Sequence, residues 1–484
     1  MIRPDGFDAV VVGSGPNGLV AAVTMAEAGR RVLLVEAADR FGGGLRTEEL
    51  TLPGFRHDVC ATVLALAVAS PAFRALRLDQ PVAGHGPPPV EWAHAPIAAA
   101  HPLDKQPAVL VHRDLERTAG ELGQDSAAWR ATVGAAARAG DPLVDTLLAP
   151  LSLPRAPLGA ARFGALAALP ATVLGRTLFR TERGRAVLAG MAAHSMLDLR
   201  SPITSGYGLM LAALAHHVGW PVAVGGSQSV ADALVARLVA NGGEVVGGWA
   251  VRDLQELPPA RLVLLDLTPR QVLAVAGDRL PPRYRRRLSR FRYGPGVFKL
   301  DWALSGPVPW SDPSVSRAGT VHLGGTLDEI ALSEAEVAAG RHPARPYVLL
   351  TQPTVADPTR APASRHVLWA YCHVPNGSGR DMTEAIEAQI ERFAPGFRDL
   401  VLARHALGPA DLEARNANLV GGDIGGGEAS LSQFARRPRY SPHPWATPVP
   451  GLYICSASTP PGGGAHGMGG WQAARLALRR DRQA

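Results

Sequence analysis

Between Asp8 and Thr47 the chain reads DAVVVGSGPNGLVAAVTMAEAGRRVLLVEAADRFGGGLRT, and little choice of local fold is left to it. An apolar run, Ala9 to Val12, leads straight into Gly13, Gly15 and Gly18. Leu19, Ala22, Val23 and Ala26 then share one helical face until Gly29, and a second apolar run, Val32 to Val35, ends in Glu36. Strand, tight turn, helix, strand and acid in that order predict a βαβ unit that holds a dinucleotide. Each residue type has a physical task. Gly13 permits the sharp turn, Gly15 lets the backbone approach a pyrophosphate, and Gly18 lets the helix pack closely on the strand. The helix start, Pro16 and Asn17 included, is expected to aim free N–H groups and the positive end of its dipole at the phosphates. Glu36, with Ala37 after it, can accept from two ribose hydroxyls and would repel a 2′-phosphate.

A second glycine turn follows at once, Gly42-Gly43-Gly44-Leu45-Arg46. Backbone can approach phosphate here too, with Arg46 as a bidentate cation.

At 484 residues the chain is too long for one ordinary core and suits two interleaved domains. The net charge of +7 does not point to nucleic acid, because Lys105 and Lys299 are the only lysines and the arginines are scattered. One arginine cluster, Arg283, Arg285, Arg286, Arg287, Arg290 and Arg292 after Pro281-Pro282, reads as a solvated helix face opened by proline, with an anionic surface patch as the other reading. Three cysteines, Cys60, Cys372 and Cys455, with no C-x-x-C, argue against a disulfide framework, a cysteine zinc site or a dithiol reductase. With no charged-then-apolar leader, a reducing, cytoplasmic setting is expected, with peripheral membrane contact as a further possibility.

From Ala61 to about Trp220 helical patterns dominate, at Leu115 to Leu122, Ala127 to Ala139 and Gly184 to Met196. The most apolar part, Gly159 to Phe179, is interrupted by Arg162, Pro170 and Arg176 and falls short of a membrane span. A helix follows Gly225-Gly226-Ser227, and short strands are expected at Val245 to Val251 and Arg261 to Leu267. Strands then prevail at Gly296 to Leu304, Thr320 to Leu323, Pro346 to Gln352 and His366 to Val374. One helix among them is read as opened by an Asp381/Glu384 capping box and closed by Pro395. Leu452 to Cys455 is a last short strand, and Met468 to Arg480 a last helix. Gly462, Gly464 and Gly467 repeat the glycine spacing of the opening turn, but no second strand with a ribose acid can follow them.

The opening unit and the Gly42 to Thr47 turn, together with PGFRHD (53–58), GGSQSVADAL (225–234), FRYGPGVFKLDWAL (291–304), WAYCHVPNGS (369–378) and PGLYICSASTPPGGGAHGMGGWQAA (450–474), resemble the FAD-dependent phytoene desaturase-like oxidoreductases of the flavin amine oxidase superfamily. The resemblance runs end to end. It implies an α/β fold in which a Rossmann-like, glutathione reductase-type FAD-binding domain (1–62, 221–290 and 416–484) is interleaved with an α+β substrate domain. That domain has a helical part (63–220) and a mixed or antiparallel sheet (291–415).

It also implies FAD as cofactor, a strand near Val251 meeting the adenine through its backbone, and Gly464, His466, Gly467 and Met468 placing the last helix's N-terminus at the flavin pyrimidine. Many relatives carry Gly-Asp where this chain has Ser456-Ala457, so that contact is replaced or absent here. Flavin chemistry needs the substrate carbon stacked on the ring and sometimes a base. Lys299 is one candidate, since flavin amine oxidases often hold a lysine near N5; a Lys299–Asp301 ion pair at a strand edge is its structural alternative. His373 and His466 are the others. Asn416, Asn418 and Asp423 are expected to shape the loop beside the flavin, with His57 and Asp58 as weaker candidates. The implied reaction is hydride transfer from an apolar small molecule to flavin N5, with oxygen or a quinone as acceptor. A redox-neutral isomerase using reduced FAD, an amine oxidase and a flavin-bearing interaction protein are the alternatives.

Overall fold

The computed structural model describes residues 6–82, 86–149, 157–434 and 436–483. Its first sheet is five-stranded and wholly parallel, in the order Leu452–Ile454, Ala260–Leu265, Phe7–Val12, Val32–Val35, Glu244–Val246. Strands separated by hundreds of residues meet here because each is a near-continuous apolar run, the composition a parallel sheet covered on both faces requires. Side-chain alternation sends Ala9, Val11 and Leu34 into one core and Val10, Val12, Leu33 and Val35 into another. Helix Pro16–Glu27 lies over the first core, flanked by Gln228–Ala240 and Met468–Asp481. The first and last helices touch backbone to backbone: a Cβ on Gly470 would fall 1.8 Å from the Asn17 carbonyl oxygen.

The second sheet has seven strands, ordered Val401–Leu407, Gly296–Leu304, His366–Val374, Val348–Thr351, Ala318–Leu323, Ile97–Leu103, Gln106–Val111. Its pairs are antiparallel except Ala318–Leu323 with Ile97–Leu103. One face carries the Trp302 and Ile390 core, and helices Glu182–Ala193, Thr204–His217 and Leu327–Ala338 gather on the other side.

Several expectations need correction. The segment read as helical contributes two strands, Ile97–Leu103 and Gln106–Val111, to the seven-stranded sheet. IAAAHPL has little intrinsic strand character, and burial between neighbours decides its conformation. The strand read as running from Val245 to Val251 ends at Val246, and Val251 lies in the following loop. The capping box sits at Thr326/Glu329, opening helix Leu327–Ala338, which the sequence reading passed over. At Thr383–Phe393, Asp381 accepts from the Thr383 amide at 2.7 Å, whereas Glu384 pairs with Arg398. The 127–139 pattern is a helical run that passes through a π turn, Arg130–Gly134, and is kinked at Gly140. The apolar stretch 159–179 is two helices, Pro157–Ala167 and Ala171–Leu178, bent by 103°. Among the described residues no single helix is long and apolar enough to cross a membrane.

Candidate functional site

The glycine turn forms as its residue types require. Gly13 has φ +97°, and a Cβ on Gly18 would stand 2.0 Å from the Gly13 carbonyl oxygen, so any larger residue forces helix and strand apart. Glu36 ends the second strand with its carboxylate turned onto the turn: it accepts from Ser14 N–H at 2.8 Å, Ser14 Oγ at 2.6 Å and Ala38 N–H at 3.0 Å. Ala37 is exposed beside it. The segment after Val246 closes over the same acid, the Trp249 amide donating to the Glu36 carbonyl at 2.8 Å, and Val251 packs behind it with Val246. The second glycine turn lies against the first: a Cβ on Gly43 would be 2.9 Å from Gly15 Cα. Leu45 is buried under it, Gly44 faces Cys60, and Arg46 donates to the Gly43 and Arg415 carbonyls at 3.1 and 2.7 Å.

One expectation about this turn changes. The Gly18 amide, expected to face a phosphate, donates to the Asp266 carboxylate at 2.9 Å. Asp266 follows strand Ala260–Leu265, sits fully buried under the turn, and was missed by the sequence reading. Burial, with the nearby Glu36 charge adding to it, pushes its carboxyl up to about 7. The visible signal was an acid at the end of an apolar run, but only the fold places that run beside Phe7–Val12. Asn418 secures the neighbouring backbone, accepting from the Thr268 amide and donating to the Asp266 carbonyl.

The last helix reaches the same region from the other end of the chain. Gly467 at its start has φ +65°, and a Cβ there would meet Val20 of the first helix at 2.6 Å. The Asn17 side chain accepts from the Gly470 amide at 3.4 Å. His466 accepts from the Met468 amide through Nδ1 at 3.1 Å, and its carbonyl accepts from Ser70 Oγ at 2.6 Å. Burial lowers its ring to about 4, so it is a neutral cap that positions the helix, with Met468 buried behind it and Gly464 packed against the imidazole. Ser456, in place of the family's Asp pair, donates to the Leu267 carbonyl at 2.8 Å and ties two strand ends together. Asp423 gathers the amides of Gly294, Gly425 and Gly427 into the loop above.

The seven-stranded sheet presents a buried face to this region. Asp301 and Lys299 lie opposite Trp369 and Tyr371, and His373 is opposite Val297, all on one side. Lys299 Nζ is 2.5 Å from Asp301 Oδ2 and 5.2 Å from the centre of the Trp369 ring. This is the ion pair read as the alternative, but on an interior strand, and Asp301 also has His57 3.5 Å away. The Lys299 and Arg46 charges both act on Cys60, which places the lysine at the second glycine turn. Trp369 stacks on Tyr371 at 5.7 Å and donates to Thr62 at 2.7 Å. His373 stands beyond Tyr371, its Nδ1 2.8 Å from Glu334 and its Nε2 buried without a partner. Asp58 is structural: it lies 2.7 Å from buried Arg360 and accepts from Thr47 and from the Ser227 amide.

The residues fit a dinucleotide: two stacked glycine turns that no side chain could enter, an acid on the ribose side, and a helix start brought to the same place. Residues 11–77 match the NAD(P)-binding Rossmann-like domain model. The chain is 28% identical over 573 aligned positions to pyridine nucleotide-disulfide oxidoreductase domain-containing protein 2 of Rattus norvegicus, covering 99% of this chain and 94% of that protein. It superposes on putrescine oxidase with bound putrescine at a TM-score of 0.58 and 18% identity, covering 98% of this chain and 99% of that one. The chain is an FAD-dependent oxidoreductase with the amine oxidase fold. Over 112 residues, 23% of this flavoprotein and 19% of the other, it is also 37% identical to a limonene dehydrogenase polypeptide of Castellaniella defragrans.

Proposed function

We propose that this flavoprotein oxidises an apolar small molecule by removing a hydride, in the manner of a dehydrogenase or desaturase. When bound, FAD supplies the hydride acceptor at N5 and passes the electrons on to oxygen or a quinone. Gly13, Gly15, Pro16, Asn17, Gly18, Glu36, Ala37, Gly43 to Arg46, Val251, Ser456, Gly464 and His466 to Met468 are the residues we assign to holding it.

One observation carries the substrate class. The sheet face that meets the second glycine turn is aromatic and bears no net charge. Lys299 is neutralised by Asp301, Trp369 and Tyr371 form a stacked wall, and Leu349 continues it. The histidines beyond are held neutral by burial: His194 is lowered to about 3, His101 to about 4, and His322 well below its ordinary value. Such a wall takes an alkyl or alkenyl chain without leaving a buried charge unpaired. The similarity to a limonene dehydrogenase polypeptide supports the same class. Lys299 is the side chain we place against the reacting centre, with Asp301 holding its ammonium. His373, oriented by Glu334, is the group we assign to proton removal.

The test is anaerobic mixing of the purified yellow protein with terpenoid alkenes and alcohols on one hand and primary amines on the other. Bleaching of the flavin band by the hydrocarbon set supports the reading. Bleaching by amines alone refutes it in favour of an amine oxidase, and substrate rearrangement without net bleaching refutes it in favour of an isomerase.

A further inference from the structure

Helix Pro282–Leu288 buries only Tyr284 and Leu288, and its arginines do more than meet solvent. Arg283, Arg286, Arg287 and Arg290, with Arg292 just beyond, form one wall of a cleft of about 760 Å³. Arg436, Ser432 and Gln433 form the other, and Phe291 also lines it. The walls are clipped together by Gln433, whose side chain accepts from the Arg292 amide at 2.9 Å and donates to the Arg292 carbonyl at 2.6 Å.

The charges are out of balance. Of the six guanidinium groups only Arg292 has a carboxylate partner, Glu428; among the described residues the other five have none. Arginine cannot shed its proton to relieve the repulsion. Behind Phe291 the positive field continues: Arg437, buried in the next turn, has no carboxylate within ion-pair distance and donates to the Gly425 and Gly427 carbonyls. A concave, hydroxyl- and amide-flanked pocket of small-ligand size with five uncompensated guanidinium groups has the donor geometry for phosphate oxygens, which guanidinium forks bind in pairs.

We propose that the cleft is a binding site for a ligand carrying phosphate groups, separate from the dinucleotide turn and independent of the reaction assigned above. The phosphate can belong to a soluble diphosphate or to an acidic lipid headgroup. The second source is raised by Leu431 and Phe434, which stand 53% and 44% exposed on the short helix that also carries Ser432 and Gln433.

The experiment uses the flavin-loaded protein, so that the dinucleotide turn is filled. Inorganic pyrophosphate is titrated by calorimetry, and vesicles of phosphatidylcholine, with and without phosphatidylglycerol, are sedimented with the protein. Arg287→Glu/Arg290→Glu is the perturbing variant and Arg287→Lys/Arg290→Lys the conservative one. Unchanged flavin absorbance and melting temperature certify both as folded. We expect binding that weakens at least about tenfold in the Glu variant, is mostly kept in the Lys variant, and is screened as salt rises to about 0.3 M. Pyrophosphate heat assigns a soluble ligand. Sedimentation only with the phosphatidylglycerol vesicles, reduced by Leu431→Ser/Phe434→Ser, assigns a headgroup. No binding of either probe, or binding that charge reversal leaves unchanged, overturns the proposal.

Discussion

Replacing Asp266 by Asn gives a direct reading of how the nucleotide turn is held. The carboxyl is fully buried, accepts from the Gly18 amide at 2.9 Å, and is pushed from 3.8 up to about 7 by burial and the Glu36 charge. A folded-state value above the unfolded one means that the native protein binds this proton more tightly than the unfolded chain does. Wild-type stability contributed by the group is therefore fully present below about pH 4 and is lost as pH rises to 7. At 1.36 kcal/mol per unit the loss amounts to about 4 kcal/mol above pH 7. Asn keeps an oxygen to accept the Gly18 amide but never ionises. We expect Asp266→Asn to be more stable than wild type by up to about 4 kcal/mol at pH 8, with the difference closing as pH falls towards 4. Urea denaturation of the apoprotein from pH 4.5 to 8.5 measures it, and FAD titration over the same range should show wild-type affinity falling with Asp266 ionisation while the variant stays flat. A stability difference that does not change with pH, or a variant less stable at pH 8, refutes the reasoning. Asp266→Ala, which abandons the Gly18 amide, is expected to be destabilised at every pH.

Three further outcomes follow from the packing and the charges. Gly470→Ala drives a methyl into the Asn17 carbonyl, so the first and last helices must separate; a loss of about 3 kcal/mol in urea and faster release of flavin absorbance on dilution are expected. Lys299→Met leaves Asp301 buried opposite no cation and should cost about 3–5 kcal/mol, most of it recovered in Lys299→Met/Asp301→Asn, whereas substrate-driven flavin bleaching stays slow in both. In an Asp266→Asn background, acidification from pH 7 to 5 should lower the denaturation midpoint. His101, His194 and His466, lowered to about 4, about 3 and about 4, stay neutral in the native state while the unfolded chain takes up protons below about 6.5. That costs up to about 2 kcal/mol per ring at pH 5, and a midpoint that holds or rises would contradict their neutrality.

The opening unit could be read residue by residue because its determinants are local. Gly13, Gly15 and Gly18 answer to turn geometry and close approach, Val32 to Val35 to the burial of a parallel strand, and Glu36 to its place at the strand end. The strands Gly296–Leu304 and His366–Val374 were readable at their full bounds for a similar reason, β-branched and aromatic residues crowded into short runs. Ile97–Leu103 and Leu327–Ala338 were not: alanine suits either conformation, and only neighbours decide.

By itself, then, the sequence determined a dinucleotide-binding βαβ unit, a second glycine turn behind it and a final helix rich in glycine. Each of these is a matter of steric permission within a few residues. The tertiary structure alone decided what stands opposite them. It brought Asp266 from 248 residues away to the amide of Gly18. It set Gly470 against Asn17, converted the lone lysine of the sheet into a neutral pair over Trp369, and folded a run of arginines into a cleft. Each of these depends on strand order and register, and on burial that raises the cost of an unpaired charge, and neither is written in any single stretch of the chain.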